Sequence, residues 1–221
     1  MFTDPQQMIW RVMMLVPMIL SLTVHEFAHA WSASKLGDDT AERMGRLTLN
    51  PLPHIDILGT ILLPLLGIPF GWAKPVPVNP VRFSRKVSMS TGMMLTAAAG
   101  PISNVLLAVL CTVTYGVLYR VAPQTLAGDQ GESGVSLLLQ FGIAINVTLA
   151  LFNLIPIPPL DGSRVVDGLI PARLRARWEG FTRLAPFLLL GVIFFGGTLI
   201  DGPRQVAHQL LGSLLHLIVS I

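Results

Sequence analysis

Three long apolar runs constrain this chain more than any other feature of its sequence. They cover residues 8–33, 93–119 and 135–157. A helix rises about 1.5 Å per residue, so roughly 20 residues cross the hydrocarbon core of a bilayer, and each run is long enough. Only 12% of the residues are charged, whereas soluble domains contain roughly 25%. The sequence therefore predicts an all-α, polytopic membrane protein.

The same reasoning predicts the domain organisation. We expect one membrane-embedded domain over residues 1–221, with a core at 8–165 and C-terminal helices at 184–221. Within the C-terminal part, residues 184–200 predict a further crossing, and 205–221 either cross or lie in the interface. The total is about five transmembrane helices.

Two segments between the apolar runs are not expected to cross. Residues 55–70 are short and contain two glycines and two prolines, which favours a re-entrant or extended loop after the first helix. Residues 164–183 are too charged to span and predict one amphipathic interfacial helix.

Charge and cysteine content exclude other classes. The formal charge of +3 does not indicate a nucleic-acid partner, because the basic residues flank apolar runs and do not alternate with aromatic residues on a soluble face. Cys111 is the single cysteine, so an intrachain disulfide and a cysteine-based metal cluster are impossible. We interpret it as a helix-packing residue.

A metal-binding motif lies near the end of the first apolar run. It reads His25-Glu26-Phe27-Ala28-His29. In a helix, the imidazoles of His25 and His29 lie one turn apart on the same face and can share one cation. The Glu26 carboxylate is rotated away from that pair and can act on a water molecule beside the cation. Ionisable groups are costly at this depth in lipid, which favours a zinc site over a purely structural role.

A third ligand is needed, and the candidate is Asp161. It follows Asn153-Leu-Ile-Pro-Ile-Pro-Pro-Leu, in which three prolines remove backbone donors and favour an extended conformation. Such backbone persists at membrane depth where protein or water satisfies its polar groups. The amide of Asn153 can donate to a substrate carbonyl. The alternative for Asp161 is that it caps the helix that follows.

Together these residues resemble the site-2 protease family of intramembrane zinc metalloproteases. The resemblance rests on HEFAH and NLIPIPPLDG, and on three further segments: Gly45-Arg-Leu-Thr-Leu-Asn-Pro51, Gly71-Trp-Ala-Lys-Pro-Val-Pro-Val-Asn-Pro80 and Ala99-Gly-Pro-Ile-Ser-Asn104. No stretch is long enough for an inserted PDZ domain, so the chain is similar to the small form of the family.

The resemblance implies a function and a set of site residues. The function is hydrolysis of peptide bonds in membrane-spanning substrates, with one Zn²⁺ per chain. His25, His29 and Asp161 would bind the zinc. Glu26 would be the catalytic general base, and Asn153 would contact substrate. The alternative function is a membrane metal transporter or sensor without hydrolytic activity, although transport needs no base beside the histidines.

The positive charges predict a topology. For Asp161 to reach both histidines, residues 8–33 and 135–157 must run in the same direction, with 93–119 as the return crossing. If residues 55–70 do not cross, twelve of the 15 lysines and arginines lie on one side, against ten if they cross. The positive-inside rule prefers the first arrangement. We therefore expect a multi-pass protein of the cell membrane with its site near the cytoplasmic face.

Supporting residues and partners complete the predictions. Asn104 lies on a small-residue face of the return helix and is expected to pack near the site. His54 could tune the site or be structural. Residues 74–80 alternate proline and valine, which is typical either of an extended edge that accepts a substrate strand or of a plain loop. The expected partners are a transmembrane protein or peptide substrate and the lipid bilayer, and the sequence does not indicate an oligomeric state.

Overall fold

The computed structural model describes residues 5–68, 71–128 and 131–220, with only the backbone at residues 5, 6, 131 and 193–197. These ranges are predominantly helical, as the apolar runs predict. The helices are α1 (Pro5–Lys35), α2 (Thr40–Arg43), α3 (Leu63–Leu65), α4 (Met89–Val121), α5 (Gly134–Asn153), α6 (Asp161–Leu169), α7 (Arg175–Thr182) and α8 (Ala185–Ser220). Short helical turns lie at Ile57–Leu62, Pro80–Arg82, Pro123–Thr125 and Ala172–Leu174. Two-residue strands β1 (Ala127–Gly128) and β2 (Gly131–Glu132) pair in an antiparallel hairpin.

Three of the described helices, α1, α4 and α5, are long and apolar enough to cross a membrane. Serine caps fix where two of them begin. Ser88 Oγ accepts from the backbone N–H of Thr91 at 3.1 Å, and Ser133 Oγ accepts from that of Ser136 at 3.1 Å. These bonds satisfy donors that a helix leaves unpaired in its first turn. The three apolar runs therefore form the predicted helices.

The three helices alternate in direction. The rings of Trp10 on α1 and Phe141 on α5 lie 5.9 Å apart, and further along both helices Asn146 donates to Ser21 at 2.8 Å. Helices α1 and α5 are therefore parallel, as the sequence predicts. On α4, Asn104 contacts His25 while the earlier Thr96 contacts His29. Helix α4 is thus the antiparallel return between them.

The C-terminal region differs from the predicted pair of segments, 184–200 and 205–221. It forms the single helix α8, which continues through Pro203. Its first turns pack on Ile157, and its last turn reaches α4, where Arg120 donates to the Ile218 carbonyl at 3.3 Å. Pro203 removes one backbone donor without ending the helix, because the rest of its hydrogen-bond ladder continues on either side. Residues 193–197, inside the predicted span, lie outside the described side chains, and the count of about five crossings stays a prediction.

Residues 55–68 lead away from the C-terminal end of α1, and by residue 74 the polypeptide is back at that end. The two ends meet where the Lys74 N–H donates to the His54 carbonyl at 2.8 Å. The far end reaches the opposite end of α1, where Arg11 donates to the Leu65 carbonyl at 3.1 Å. Pro69 and Phe70 lie outside the described residues. This path is compatible with the re-entrant loop, which stays a prediction.

The charged region 164–183 is not the single amphipathic helix that the sequence predicts. It contains the end of α6, a turn at Ala172–Leu174 and helix α7. The break is local, since Ile170 precedes Pro171 and takes an extended conformation, with φ −71° and ψ 128°. A residue before proline avoids the helical region because of a clash with the proline ring.

Candidate active site

Three potential metal ligands converge where α1, α4 and α6 meet. His25 Nε2 and His29 Nε2 lie 3.0 Å apart, and Asp161 Oδ2 lies 3.2 Å and 3.3 Å from them. Their side chains are 6%, 11% and 13% exposed. The structure therefore brings together the three residues that the sequence assigns as ligands.

Each ligand is positioned by its own element. His25 and His29 are four residues apart on α1, so their rings project from successive turns of one face. Asp161 is the first residue of α6, while Leu160 occupies the cap position. The alternative that Asp161 is an N-cap is therefore wrong. A Cβ on Gly162 would lie 2.2 Å from the Leu154 carbonyl oxygen, so this glycine lets the proline-rich loop fold back against α5.

The outer nitrogens of both imidazoles are already bonded. His25 Nδ1 lies 2.7 Å from Asn104 Oδ1, and His29 Nδ1 lies 2.7 Å from the Thr96 carbonyl oxygen. Both partners accept, so both Nδ1 atoms carry the proton. With the proton at Nδ1, the neutral form of each ring has its lone pair at Nε2, directed at the other ring and at Asp161.

This donor set fits a zinc ion. Two facing lone pairs cannot share a hydrogen bond, but they can bind one cation. Within the described part of the chain, Asp161 Oδ2 is buried without a hydrogen-bond partner. Two imidazoles and a carboxylate with one open position are typical of catalytic zinc.

Helix α4 approaches the histidines at a glycine. A Cβ on Gly100 would lie 2.5 Å from His29 Nε2 and 2.6 Å from His25 Cε1. Such distances are far inside van der Waals contact, so no side chain fits there. Sequence reasoning assigned Gly100 only to a surface for helix packing, and the structure gives it a second role in leaving room for the ligands.

Glu26 lines the same pocket as the three ligands. Its side chain is buried, and Oε2 accepts from the backbone N–H of Val76 at 2.8 Å. Val76 belongs to residues 74–79, which form neither helix nor strand, and Pro75 and Val78 of this segment also line the pocket. The carboxylate is thus oriented by main chain outside its own helix.

Two buried side chains fix the ends of residues 74–79. The Arg46 guanidinium donates to the carbonyls of Lys74 and Pro75. Asp38, which is 0% exposed, accepts from the Asn79 N–H at 2.6 Å. Sequence reasoning counted Arg46 among the topology charges and within a segment that carries the resemblance, but it did not connect Arg46 or Asp38 with residues 74–79, because neither residue is near them in the sequence.

The three remaining predicted residues have different positions. Asn153 lines the pocket, with Nδ2 donating to the Leu149 carbonyl at 3.0 Å. Asn104 is 0% exposed and contacts His25, outside the pocket lining. His54 is also buried away from the pocket, where its Nε2 bonds the Thr48 carbonyl at 2.9 Å. His54 therefore supports a loop and does not face the site.

The pocket has a volume of about 160 Å³. Besides the ligands and Glu26, its walls include Thr96, Ala97 and Pro159. Arg164, an exposed residue one turn after Asp161 on α6, lies at its edge. Sequence reasoning did not assign Arg164 to the site, although its spacing from Asp161 places the two on one helix face.

Comparison with known proteins agrees with this geometry. Residues 120–193 match the model of peptidase family M50. The chain is 42% identical to "Putative zinc metalloprotease YwhC" of Bacillus subtilis (strain 168) over 164 residues, and this aligned region covers 74% of the chain and 72% of the relative. It is 30% identical over 189 residues to "Putative zinc metalloprotease Rip2" of Mycobacterium tuberculosis (strain ATCC 25618 / H37Rv), covering 85% and 68%. No solved structure matches the chain. The chain therefore belongs to peptidase family M50, the site-2 protease family of zinc metalloproteases.

Proposed function

We propose that this metalloprotease works inside the membrane and hydrolyses peptide bonds of membrane-spanning proteins. One Zn²⁺ would be held by His25, His29 and Asp161. The observation that carries the proposal is the convergence of three ligand atoms within 4.8 Å of one another, in a pocket that Glu26 also lines. Three helices apolar enough to cross a bilayer surround that pocket or lead to it.

Zinc in this position would polarise the substrate carbonyl and acidify the attacking water. Glu26 takes a proton from that water and passes it to the amine nitrogen as the peptide bond breaks. The Val76 N–H bond to Oε2 holds the carboxylate in one orientation and leaves its other oxygen for the proton. Asn153 uses one N–H on the Leu149 carbonyl, and its second N–H is available for a substrate carbonyl.

The substrate would bind in an extended form. Peptide bonds in a helix are shielded by their own hydrogen bonds, so a transmembrane helix has to unwind before it is cut. Residues 74–79 form neither helix nor strand, and they line the pocket as an edge that is held at both ends. Such an edge can receive a peptide as an added strand.

We place the site near the cytoplasmic face of the plasma membrane. The support is the charge distribution, with twelve of 15 lysines and arginines in the segments on the site side. Cytoplasmic loops carry an excess of these residues. The parallel course of α1 and α5, with α4 as the return, agrees with the topology on which that count depends.

The test compares two glutamate variants in cells. Glu26→Gln keeps the shape of the side chain but cannot accept the proton, so we expect unchanged zinc content and loss of cleavage. Glu42→Gln, on the exposed surface of α2, is the matched control and should cleave normally. The measurement is the set of new protein termini inside apolar segments of the membrane proteome. Undiminished cleavage by Glu26→Gln would refute the assigned base.

A further inference from the structure

A chain of buried polar side chains leads away from the metal ligands into the apolar centre of the helices. It joins His25 and Ser21 on α1, Asn104 on α4 and Asn146 on α5. Ser21, Asn104 and Asn146 are 2%, 0% and 2% exposed. Polar groups buried this deeply are costly unless their hydrogen bonds are satisfied. Each of these three side chains is bonded to the next.

The donor and acceptor of each of these hydrogen bonds can be assigned, starting from Ser21 and Asn146, which lie farthest from the metal ligands. Main-chain carbonyls can only accept, so Ser21 Oγ donates to the Pro17 carbonyl at 2.6 Å. Asn146 Nδ2 donates to the Gly142 carbonyl at 2.8 Å and to Ser21 Oγ at 2.8 Å. Both N–H bonds of Asn146 are then used, and its Oδ1 is the atom left for a neighbour.

The orientation of the Asn104 amide and the tautomer of His25 follow from these assignments. Asn104 Nδ2 donates to Asn146 Oδ1 at 2.8 Å and, over a longer 3.4 Å, to the Ser21 carbonyl, and these bonds turn Asn104 Oδ1 towards His25. An amide oxygen only accepts, so His25 Nδ1 must donate to it. The Nε2 lone pair of His25 is then directed into the pocket. The carbonyls of Pro17 and Gly142 thus influence the tautomer of His25 through Ser21, Asn146 and Asn104, and the longer bond to the Ser21 carbonyl acts on Asn104 directly.

We propose that Asn146 and Ser21 are positioning residues for His25, and that they act through the amide of Asn104. This inference rests on the proposed zinc site. A ligand histidine depends on the partner of its other nitrogen for orientation and basicity. If Asn146 were lost, only the longer bond to the Ser21 carbonyl would orient the Asn104 amide. The amide could then rotate and present Nδ2 to His25, which would favour the wrong tautomer.

The alternative is that these side chains only hold the helices together, as polar residues between membrane helices often do. In that case, removing Asn146 would destabilise the protein without a specific effect on zinc. The two possibilities are separated by the zinc affinity of the full chain in detergent, measured by competition with a chelator.

We expect Asn146→Leu to weaken zinc binding about tenfold and Asn104→Leu at least as much, since partners of ligand histidines typically contribute 10- to 100-fold. The double variant should bind zinc no more weakly than Asn104→Leu, because Asn146 acts through Asn104. Thr112→Val is the matched control. Thr112 is equally buried on α4, and its hydroxyl donates to the Ala108 carbonyl at 2.9 Å. It takes no part in the hydrogen bonds that connect Ser21, Asn146, Asn104 and His25.

Zinc affinity of Asn146→Leu within twofold of the unsubstituted protein would overturn the inference, as would an equal loss on the Asn104→Leu background. If Asn146→Leu does not fold, Ser21→Ala replaces it and should weaken binding about threefold, and unchanged affinity would overturn the inference there too. Failure of the unsubstituted chain to bind zinc would instead contradict the proposed function.

Discussion

Gly100 determines how closely α4 can approach the two histidines. Any Cβ there would lie 2.5 Å from His29 Nε2, so Gly100→Ala must push the helix or the ring away. We expect this variant to retain less than a tenth of the zinc of the unsubstituted protein, because the ligands can no longer meet at one point. Zinc bound per purified chain is the measurement.

Gly191→Ala is the control for that substitution. Gly191 also lies inside a long helix, but a Cβ there would meet no heavy atom within 4 Å. Its zinc content should be unchanged, and its stability should rise slightly because alanine favours the helix. Full zinc retention by Gly100→Ala would show that the histidines tolerate a displaced α4.

At the residue scale, the ligands and the base were predictable because their signals are local. His25 and His29 are four residues apart, which places them on the same face of one helix. Asp161 ends a proline-rich run that has no other acid. Asn146 and Gly100 gave no comparable signal, because their roles depend on which faces of three helices meet. That pairing is set by packing over the whole bundle and cannot be read from periodicity within one segment.

At the scale of elements, the position of residues 74–79 depends on Asp38. The buried carboxylate accepts from the Asn79 N–H, and from the N–H and hydroxyl of Thr40. In Asp38→Ala these donors lose their acceptor, which costs about 1–3 kcal/mol. We expect a lower unfolding temperature and faster hydrogen exchange at the Asn79 amide.

The neighbouring Asp39 is the control for Asp38. It is exposed and forms ion pairs with Arg43 and Arg82 at 2.6 Å, and their charges lower the pKa of its carboxyl. Exposed ion pairs contribute little to stability, so Asp39→Ala should leave exchange at Asn79 unchanged. Equal protection of Asn79 in both variants would mean that Asp38 does not hold the segment.

The elements show where sequence reasoning stops. Long apolar runs predicted α1, α4 and α5 because length and composition decide whether a segment crosses. Pro171 by itself indicates a break in the helix, but the charge pattern of residues 164–183 led us to predict a single helix there. Continuity through Pro203 was not readable, since a proline inside a helix either ends or bends it depending on its neighbours.

At the scale of the whole molecule, the proposed topology would place residue 85 on the cytoplasmic side of the membrane and residue 124 on the other side. Single cysteines at these exposed positions, in a Cys111→Ala background, report their side in intact cells. We expect a membrane-impermeant thiol reagent to label Gln124→Cys and not Arg85→Cys. After the membrane is permeabilised, both should react, and the opposite pattern in intact cells would invert the topology.

The general architecture followed from the scarcity of charge and the three apolar runs. The assembly of the site needed one further condition, that α1 and α5 are parallel. The assignment of Asp161 as a ligand required this arrangement, and the positive charges favoured it. The path of residues 55–68 did not follow, because a short, glycine-rich segment is compatible with a loop at the surface or within the lipid.

The central claim is that one divalent cation is held jointly by α1 and α6, and zinc content tests it most directly. Metal analysis of the purified chain should give one zinc per molecule, whereas Asp161→Asn, which keeps the shape but loses the charge, should give much less. Equal zinc in the two proteins, or none in the unsubstituted chain, would contradict this account.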